Sequence, residues 1–135
     1  MTGVMIGLDT NVLVRYLAQD DPIQSPRAGA IIESFTPERR GYISLTAMVE
    51  LAWVLTSVYS TDKEGLLQTF ELLLRSRNLA VEQADTARRA VDLFRMAKAD
   101  FEDCLIQCSC HTAGCSETIT FDNAAAKTAG MRLIR

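Results

Sequence analysis

The chain has 135 residues, a length that predicts one domain over residues 1–135. Of these residues, 48% are hydrophobic and 23% are charged, a balance that excludes a disordered chain. Its 14 Lys and Arg against 17 Asp and Glu give a net charge of −3. That charge excludes a strongly basic nucleic-acid-binding protein, but not an enzyme that reaches nucleic acid through bound cations. The sequence predicts neither a signal peptide nor a membrane span, so we expect a cytoplasmic protein.

Short apolar strands and amphipathic helices alternate along the chain. Strands are predicted at residues 4–8, 41–44, 79–81, 117–121 and 131–134, and each is separated from the next by helical periodicity. Helix starts are predicted after Asp9, at Ser25–Pro26, at Leu45, at the Thr61–Glu64 box, at Asp85 and near Phe101, with a last helical turn after Asp122. This alternation predicts an α/β fold, a three-layer sandwich around a central, mostly parallel five-stranded sheet.

Four carboxylates occupy positions where such a fold places ligands. Asp9 follows the first strand and Asp122 follows the fourth, whereas Glu50 and Asp103 lie near the starts of helices. Ligands of open parallel sheets bind beyond the carboxyl ends of the strands, where helix N-termini also lie. We therefore expect these four acids to converge on one pocket.

Ionised carboxylates that lie close together repel one another and need cations to coexist. Mg²⁺ or Mn²⁺ suits an oxygen-only set of ligands, because hard cations prefer oxygen donors. Two such ions can activate water and stabilise the leaving oxygen in phosphodiester cleavage. The acids thus favour a metal-dependent enzyme acting on a phosphodiester.

Each acid also has a purely structural explanation. Asp9 can cap the helix that follows it, and Asp122 can form a simple turn. Glu50 can be a solvated helix residue, and Asp103 can be the partner of a helix cap at Asp100. We interpret Asp100 as the cap and Asp103 as the ligand.

The cysteines suggest zinc only at first sight. Cys104, Cys108, His111 and Cys115 are spaced along one nominal helix face, but eleven helical residues span about 16 Å, too far to share one ion. Cys104 and Cys108 are predicted to lie in the core, and His111 at the surface or a helix end. The roles of Cys108, Cys110 and His111 stay open.

Four segments resemble, in chain order, the motifs of PIN-domain ribonucleases, and in particular those of VapC-type toxins from bacterial toxin–antitoxin pairs. The segments are residues 8–17 (LDTNVLVRYL), 44–51 (SLTAMVEL), 99–106 (ADFEDCLI) and 120–122 (TFD). The resemblance implies a magnesium-dependent endoribonuclease that is a homodimer and is inhibited by a cognate antitoxin protein.

The resemblance also implies roles for individual residues. Asp9 and Asp103 would be the principal metal ligands, and Glu50 and Asp122 would complete the acidic site. Two supporting residues would be Asn11, which would orient Asp9 or the substrate, and Thr120, which would support Asp122.

Other functions are open to such a chain. A PIN-like module that has lost catalysis would bind RNA or protein without cleaving. An aspartate-nucleophile phosphatase would need a second aspartate where this chain has Asn11, and a phosphoacceptor receiver domain would need a further acidic pair. Apolar residues left outside the core are expected to form a dimer face or an antitoxin groove.

Overall fold

A computed structural model describes residues 3–134, which form two compact units that meet in sequence between Glu82 and Gln83. The first unit contains three strands and four helices, in the order β1 (Val4–Gly7), α1 (Thr10–Ala18), α2 (Gln24–Glu33), β2 (Arg39–Ile43), α3 (Leu45–Ser57), α4 (Lys63–Arg75) and β3 (Leu79–Val81). The second contains α5 (Ala84–Met96), α6 (Phe101–Thr112), β4 (Ile119–Thr120), α7 (Asn123–Thr128) and β5 (Arg132–Leu133). These elements confirm the predicted α/β class.

The sheet of the first unit is parallel throughout, in the order β1-β2-β3. Gly41 lies in the central strand β2 and is buried. A Cβ atom there would come within 2.6 Å of the Phe35 ring and 3.0 Å of Leu8 and Leu79. Glycine is therefore needed at this position because side chains from neighbouring segments fill the space beside the strand.

The core of the first unit is formed by apolar side chains from the sheet and the helices. Those that are almost completely buried are Leu13, Ile43, Met48, Leu51, Phe70 and Leu73. Truncating any one to alanine would cost roughly 2–5 kcal/mol, which is a large part of the stability of a small unit. This core fixes β1 and β2 and the helices that follow them.

The second unit is built on helices α5 and α6. The rings of Phe94 and Phe101 meet edge to face with centroids 6.0 Å apart, and Val91, Cys104 and Leu105 are buried. Strands β4 and β5 form a separate parallel pair. The burial of Cys104 confirms its predicted place in a core, whereas Cys108 is only partly buried.

The single five-stranded sheet is not confirmed, because hydrogen bonds within residues 3–134 join the strands as a set of three and a set of two. Strands β4 and β5 have two residues each, shorter than predicted. The backbone N–H of Asp122 donates to Thr120 Oγ1 at 3.0 Å. This local bond turns the chain out of an extended ladder directly after β4.

Three predicted helix caps are wrong. Asp21 Oδ1 accepts from the N–H groups of Ile23 and Gln24 at 2.9 and 2.6 Å, so α2 begins before Ser25, whose hydroxyl is buried and accepts from the Asp21 N–H. Asp21 thus satisfies the free backbone donors at this helix start in place of Ser25.

The other two helices, α4 and α5, also begin at residues other than those predicted. Asp62, rather than Thr61, caps α4 by accepting from the Gly65 N–H at 2.8 Å. Helix α5 begins after Gln83, whose left-handed backbone has φ 44°, and Asp85 lies inside its first turn. None of the helices among residues 3–134 is long and apolar enough to cross a bilayer.

Candidate functional site

The first pair of predicted site residues lies at the carboxyl edge of the β1-β2-β3 sheet. Strands β1 and β2 are parallel neighbours with Gly7 opposite Tyr42, and each is followed at once by a helix, α1 and α3 respectively. Asp9 is the N-cap of α1 and Glu50 lies in the second turn of α3. Parallel pairing therefore places both acids at one end of the same sheet.

Asp9 does cap its helix, as its structural explanation requires. It has extended backbone angles, and its Oδ1 accepts from the Thr10 N–H at 2.8 Å. The side chain is nevertheless exposed, and a cap uses only part of the capacity of a carboxylate, which has two oxygens and about four lone-pair sites. Capping and ligand binding are compatible at this position.

Thr10 connects the two acids, a role that sequence analysis did not assign. The residue is 7% exposed, and its hydroxyl donates to Glu50 Oε1 at 3.0 Å. Thr10 is adjacent to Asp9, so this bond holds the Glu50 carboxylate beside the residue that follows Asp9. The available sequence signal was the place of Thr10 inside the LDTNVLVRYL segment.

A third acid follows strand β3 and was not predicted. Glu82 Oε1 accepts from the Leu45 N–H at 2.9 Å, and the Glu82 N–H donates to the Ile43 carbonyl at 2.8 Å. Its carboxylate thus accepts a backbone hydrogen bond at the start of α3, as does the Ser44 side chain, which accepts from the Ala47 N–H. We assign Glu82 a structural role in positioning the helix that carries Glu50.

In the second unit, Asp103 lies in the first turn of α6 behind the helix cap. Asp100 Oδ1 accepts from the Asp103 N–H at 2.9 Å, which confirms Asp100 as the cap. Asp122 caps α7 by accepting from the N–H groups of Ala124 and Ala125 at 2.7 and 3.2 Å. Both acids therefore stand at helix starts, with their backbones fixed by local bonds.

The electrostatic surroundings of Asp103 are unfavourable to its charge. Partial burial raises the pKa of its carboxyl above the ordinary value, and the negative charges of Asp100, Asp122 and Glu102 raise it further. Asp122 is thus one of the acids whose negative charge disfavours ionisation of Asp103 within the second unit. A carboxylate in such surroundings is stabilised by any cation that joins it.

Hydrogen bonds between backbone groups and two side chains, Thr128 and Gln107, link the segments of the second unit that carry these acids. Thr128, at the end of α7, accepts with its Oγ1 from the N–H groups of Lys98 and Ala99 at 2.9 and 3.2 Å. Gln107 on α6 donates to the Gly130 carbonyl at 3.1 Å. These contacts tie α6 and the segment before it to the end of α7 and the residues that follow it.

The carboxylate oxygens of these acids are the type of ligand that a hard divalent cation prefers. The acids provide only oxygen ligands, and the group around Asp103 is a set of carboxylates that repel one another, which is the pattern that Mg²⁺ or Mn²⁺ relieves. Among residues 3–134, side chains of His, Cys, Asp and Glu do not gather in threes closely enough to hold an ion. The structure thus links Asp9 and Glu50 through Thr10, and Asp122 is one of the acids whose charge acts on Asp103.

The remaining predicted residues have mixed surroundings. Asn11 is exposed in the first turn of α1, close in sequence to Asp9. Thr120 accepts from the Asp122 N–H, so its hydroxyl contacts the backbone of the residue it is predicted to support. His111 is exposed in the last turn of α6, as predicted.

Comparison with known proteins gives two findings. A family model for the PIN domain matches residues 6–131. The chain is also similar to the VapC ribonuclease of Aquifex aeolicus (strain VF5), with 25% identity over 120 residues, which cover 84% of each protein. The family match includes all four motif segments, from LDTNVLVRYL to TFD.

Proposed function

Since the chain belongs to the PIN domain family, whose model spans most of its length, we propose that it is a divalent-metal-dependent endoribonuclease acting as the toxin of a toxin–antitoxin pair. The observation that carries the proposal is the pair of acids at the carboxyl edge of the β1-β2-β3 sheet, where Thr10 binds Asp9 through its N–H and Glu50 through its hydroxyl. In the second unit, burial and nearby carboxylates raise the pKa of Asp103. Perturbed acids of this kind are common at active sites. The VapC ribonuclease relative supports RNA as the substrate.

The proposed catalytic and metal-binding residues are Asp9, Glu50, Asp103 and Asp122, with Asn11 and Thr120 in support. Mg²⁺ or Mn²⁺ bound by these acids would supply the positive charge and the water activation that phosphodiester hydrolysis needs. Local hydrogen bonds at the starts of α1, α6 and α7 hold Asp9, Asp103 and Asp122 in place, and the Thr10 hydroxyl holds Glu50.

Other residues of the chain act through these acids. Thr10 is a positioning residue, because its buried hydroxyl fixes one oxygen of Glu50. Thr128 acts at a distance by tying the segment before α6 to α7. A single family model covers residues from both compact units, so we propose that the chain works as one PIN-like domain.

The proposed partners are RNA, a cognate antitoxin protein and a second copy of the chain. Large apolar side chains remain exposed on both units. They include Trp53 on α3 (66% exposed) and Val58 directly after it, and Met96 (86%) and Phe121 (77%) in the second unit. Exposed aromatic and aliphatic groups are typical of protein contacts, and such a toxin would act on RNA in the cytoplasm.

We expect the Thr10→Val variant to lose about tenfold in RNA cleavage, a common effect of removing a residue that orients a ligand. Valine keeps the shape of threonine but cannot donate to Glu50, so that carboxylate becomes free to turn away. Thr10→Ser should restore most of the activity. Gel assays of initial cleavage rate at equal concentrations of folded protein provide the measurement.

The matched control is Thr69→Val, which removes a half-buried hydroxyl that donates only to the Gly65 carbonyl within α4. If Thr10→Val and Thr69→Val cleave equally well, Thr10 has only a structural role. Both variants should lose about 1 kcal/mol of unfolding free energy, so stability alone does not separate them.

The function is tested with purified protein, free of antitoxin, on RNA and DNA of the same sequence. We expect cuts in total cellular RNA and in single-stranded RNA oligonucleotides, and none in the matched DNA. Retention of intact RNA in a gel-shift assay, without cleavage of any RNA tested, would instead support the binding-module alternative. Cleavage of DNA at the same rate would contradict the proposed substrate class.

A further inference from the structure

The end of helix α6 and the turn after it carry two cysteines, Cys110 and Cys115, which are not among the residues of the proposed nuclease site. Helix α6 ends in a Schellman motif, in which the Cys115 N–H donates to the Cys110 carbonyl and the Gly114 N–H donates to the His111 carbonyl, both at 3.0 Å. Gly114 has φ +95°, the left-handed backbone that this motif requires. The chain therefore turns back on itself between Cys110 and Cys115.

This motif brings two specific side-chain positions together. Its outer hydrogen bond joins the third residue before the helix cap to the second residue after it, and side chains at these two positions commonly touch. Here both positions are cysteine. The Cys115 N atom lies 3.0 Å from the Cys110 carbonyl oxygen. Because each of these atoms is only one or two covalent bonds from its own Cα, the two Cα atoms lie within about 7 Å of each other, the upper limit for a disulfide.

The other two cysteines differ in their surroundings. Cys104 is completely buried, and burial raises the pKa of the Cys108 thiol, which lowers its thiolate fraction and its reactivity. Cys110 is partly exposed and Cys115 is exposed. Reagents from solution therefore reach the pair more easily than they reach Cys104.

We propose that Cys110 and Cys115 form a dithiol site that reacts with small-molecule disulfides and closes reversibly into an intramolecular disulfide. The thiolate of Cys115 attacks one sulfur of the reagent, forms a mixed disulfide and releases the first reagent thiolate. The thiolate of Cys110 then attacks the Cys115 sulfur, forms the Cys110–Cys115 bond and releases the second reagent thiolate. The two cysteines lose two protons and two electrons, and the reagent disulfide is reduced to two thiols.

The test treats the native full-length protein with glutathione disulfide and follows its intact mass. We expect a loss of about 2 Da in the wild type and in Cys108→Ser, because closure removes two hydrogen atoms. Cys110→Ser and Cys115→Ser should instead gain one stable glutathionyl group. Closure in either of these two variants, or stable glutathionylation of the wild type, would overturn the proposal.

A second measurement tests the contribution of the helix end itself. The equilibrium constant for closure against glutathione is compared between native protein and protein unfolded in urea. We expect closure to be at least about tenfold more favourable in the native chain, because its cysteines are already held together and lose less entropy. An equal or smaller native constant would show that the helix end does not present the pair.

Discussion

Asp9→Asn is expected to reduce RNA cleavage by at least about 100-fold, above the range that loss of a supporting residue costs, while the protein stays folded. The protein should stay folded because asparagine is as good an N-cap as aspartate. It can still accept from the Thr10 N–H, as Asp9 does at 2.8 Å, but it lacks the charge that a hard cation prefers. This substitution separates the two roles of Asp9.

The control is Asp62→Asn. Asp62 caps α4 in the same unit, is exposed like Asp9, and accepts from the Gly65 N–H at 2.8 Å. The free energy of unfolding of both variants should lie within a few tenths of a kcal/mol of the wild-type value. Only Asp9→Asn should lose activity. Wild-type cleavage by Asp9→Asn would reduce Asp9 to a helix cap and remove it from the proposed site.

Asp103→Asn is expected to abolish cleavage and, at neutral pH without metal, to make the protein more stable. Burial and the charges of Asp100 and Asp122 raise the pKa of Asp103 in the folded chain, so its ionised form costs folding free energy. This cost is absent at pH values where the folded and unfolded carboxyls are both protonated. It appears as the pH rises through the interval between the ordinary and the raised pKa.

Asparagine removes this cost because it does not ionise. The expected gain in unfolding free energy is below about 1 kcal/mol, the range of partly exposed charge interactions, and thermal unfolding in EDTA measures it. The effect should reverse with Mg²⁺ or Mn²⁺, since a ligand that binds only the folded state stabilises it. Metal should then raise the melting temperature of the wild type more than that of Asp103→Asn.

Asp85→Asn is the matched control for Asp103. Asp85 also lies in the first turn of a helix of the second unit, but its side chain is 97% exposed and pairs with Arg88 at 3.2 Å. It should show wild-type cleavage and the full thermal response to metal. An unchanged or lower stability of Asp103→Asn in EDTA, together with a full metal response, would contradict the proposed role of Asp103.

Sequence patterns predicted the type and order of the elements because each has a strong local signal. Helices α1 and α3 each bury one apolar face, because apolar residues recur along them with helical period. Helix starts were less predictable. Three helix starts are fixed by local features, which are the capping bonds of Asp21 and Asp62 and the left-handed backbone of Gln83. Several nearby residues in the sequence were equally good caps.

The positions of the four acids after strand ends and near helix starts could be predicted from local sequence patterns, whereas their assignment to one site stays a prediction. The bond from Thr10 to Glu50 could not be predicted, since it joins residues forty positions apart through the packing of two helices. Glu82 was missed for the same reason, because its partner is the start of α3. Single-residue contacts of this kind depend on tertiary packing, which local periodicity does not encode.

Metal-dependent cleavage of RNA by the purified protein tests the central proposal most directly. The protein is stripped with EDTA, mixed with total cellular RNA, and assayed with no addition, with Mg²⁺ and with Mn²⁺, beside Asp9→Asn and Asp62→Asn. We predict no cuts in EDTA, restored cutting with either ion for the wild type and Asp62→Asn, and none for Asp9→Asn. Equal cutting by the wild type in EDTA and in metal would contradict a metal-dependent ribonuclease.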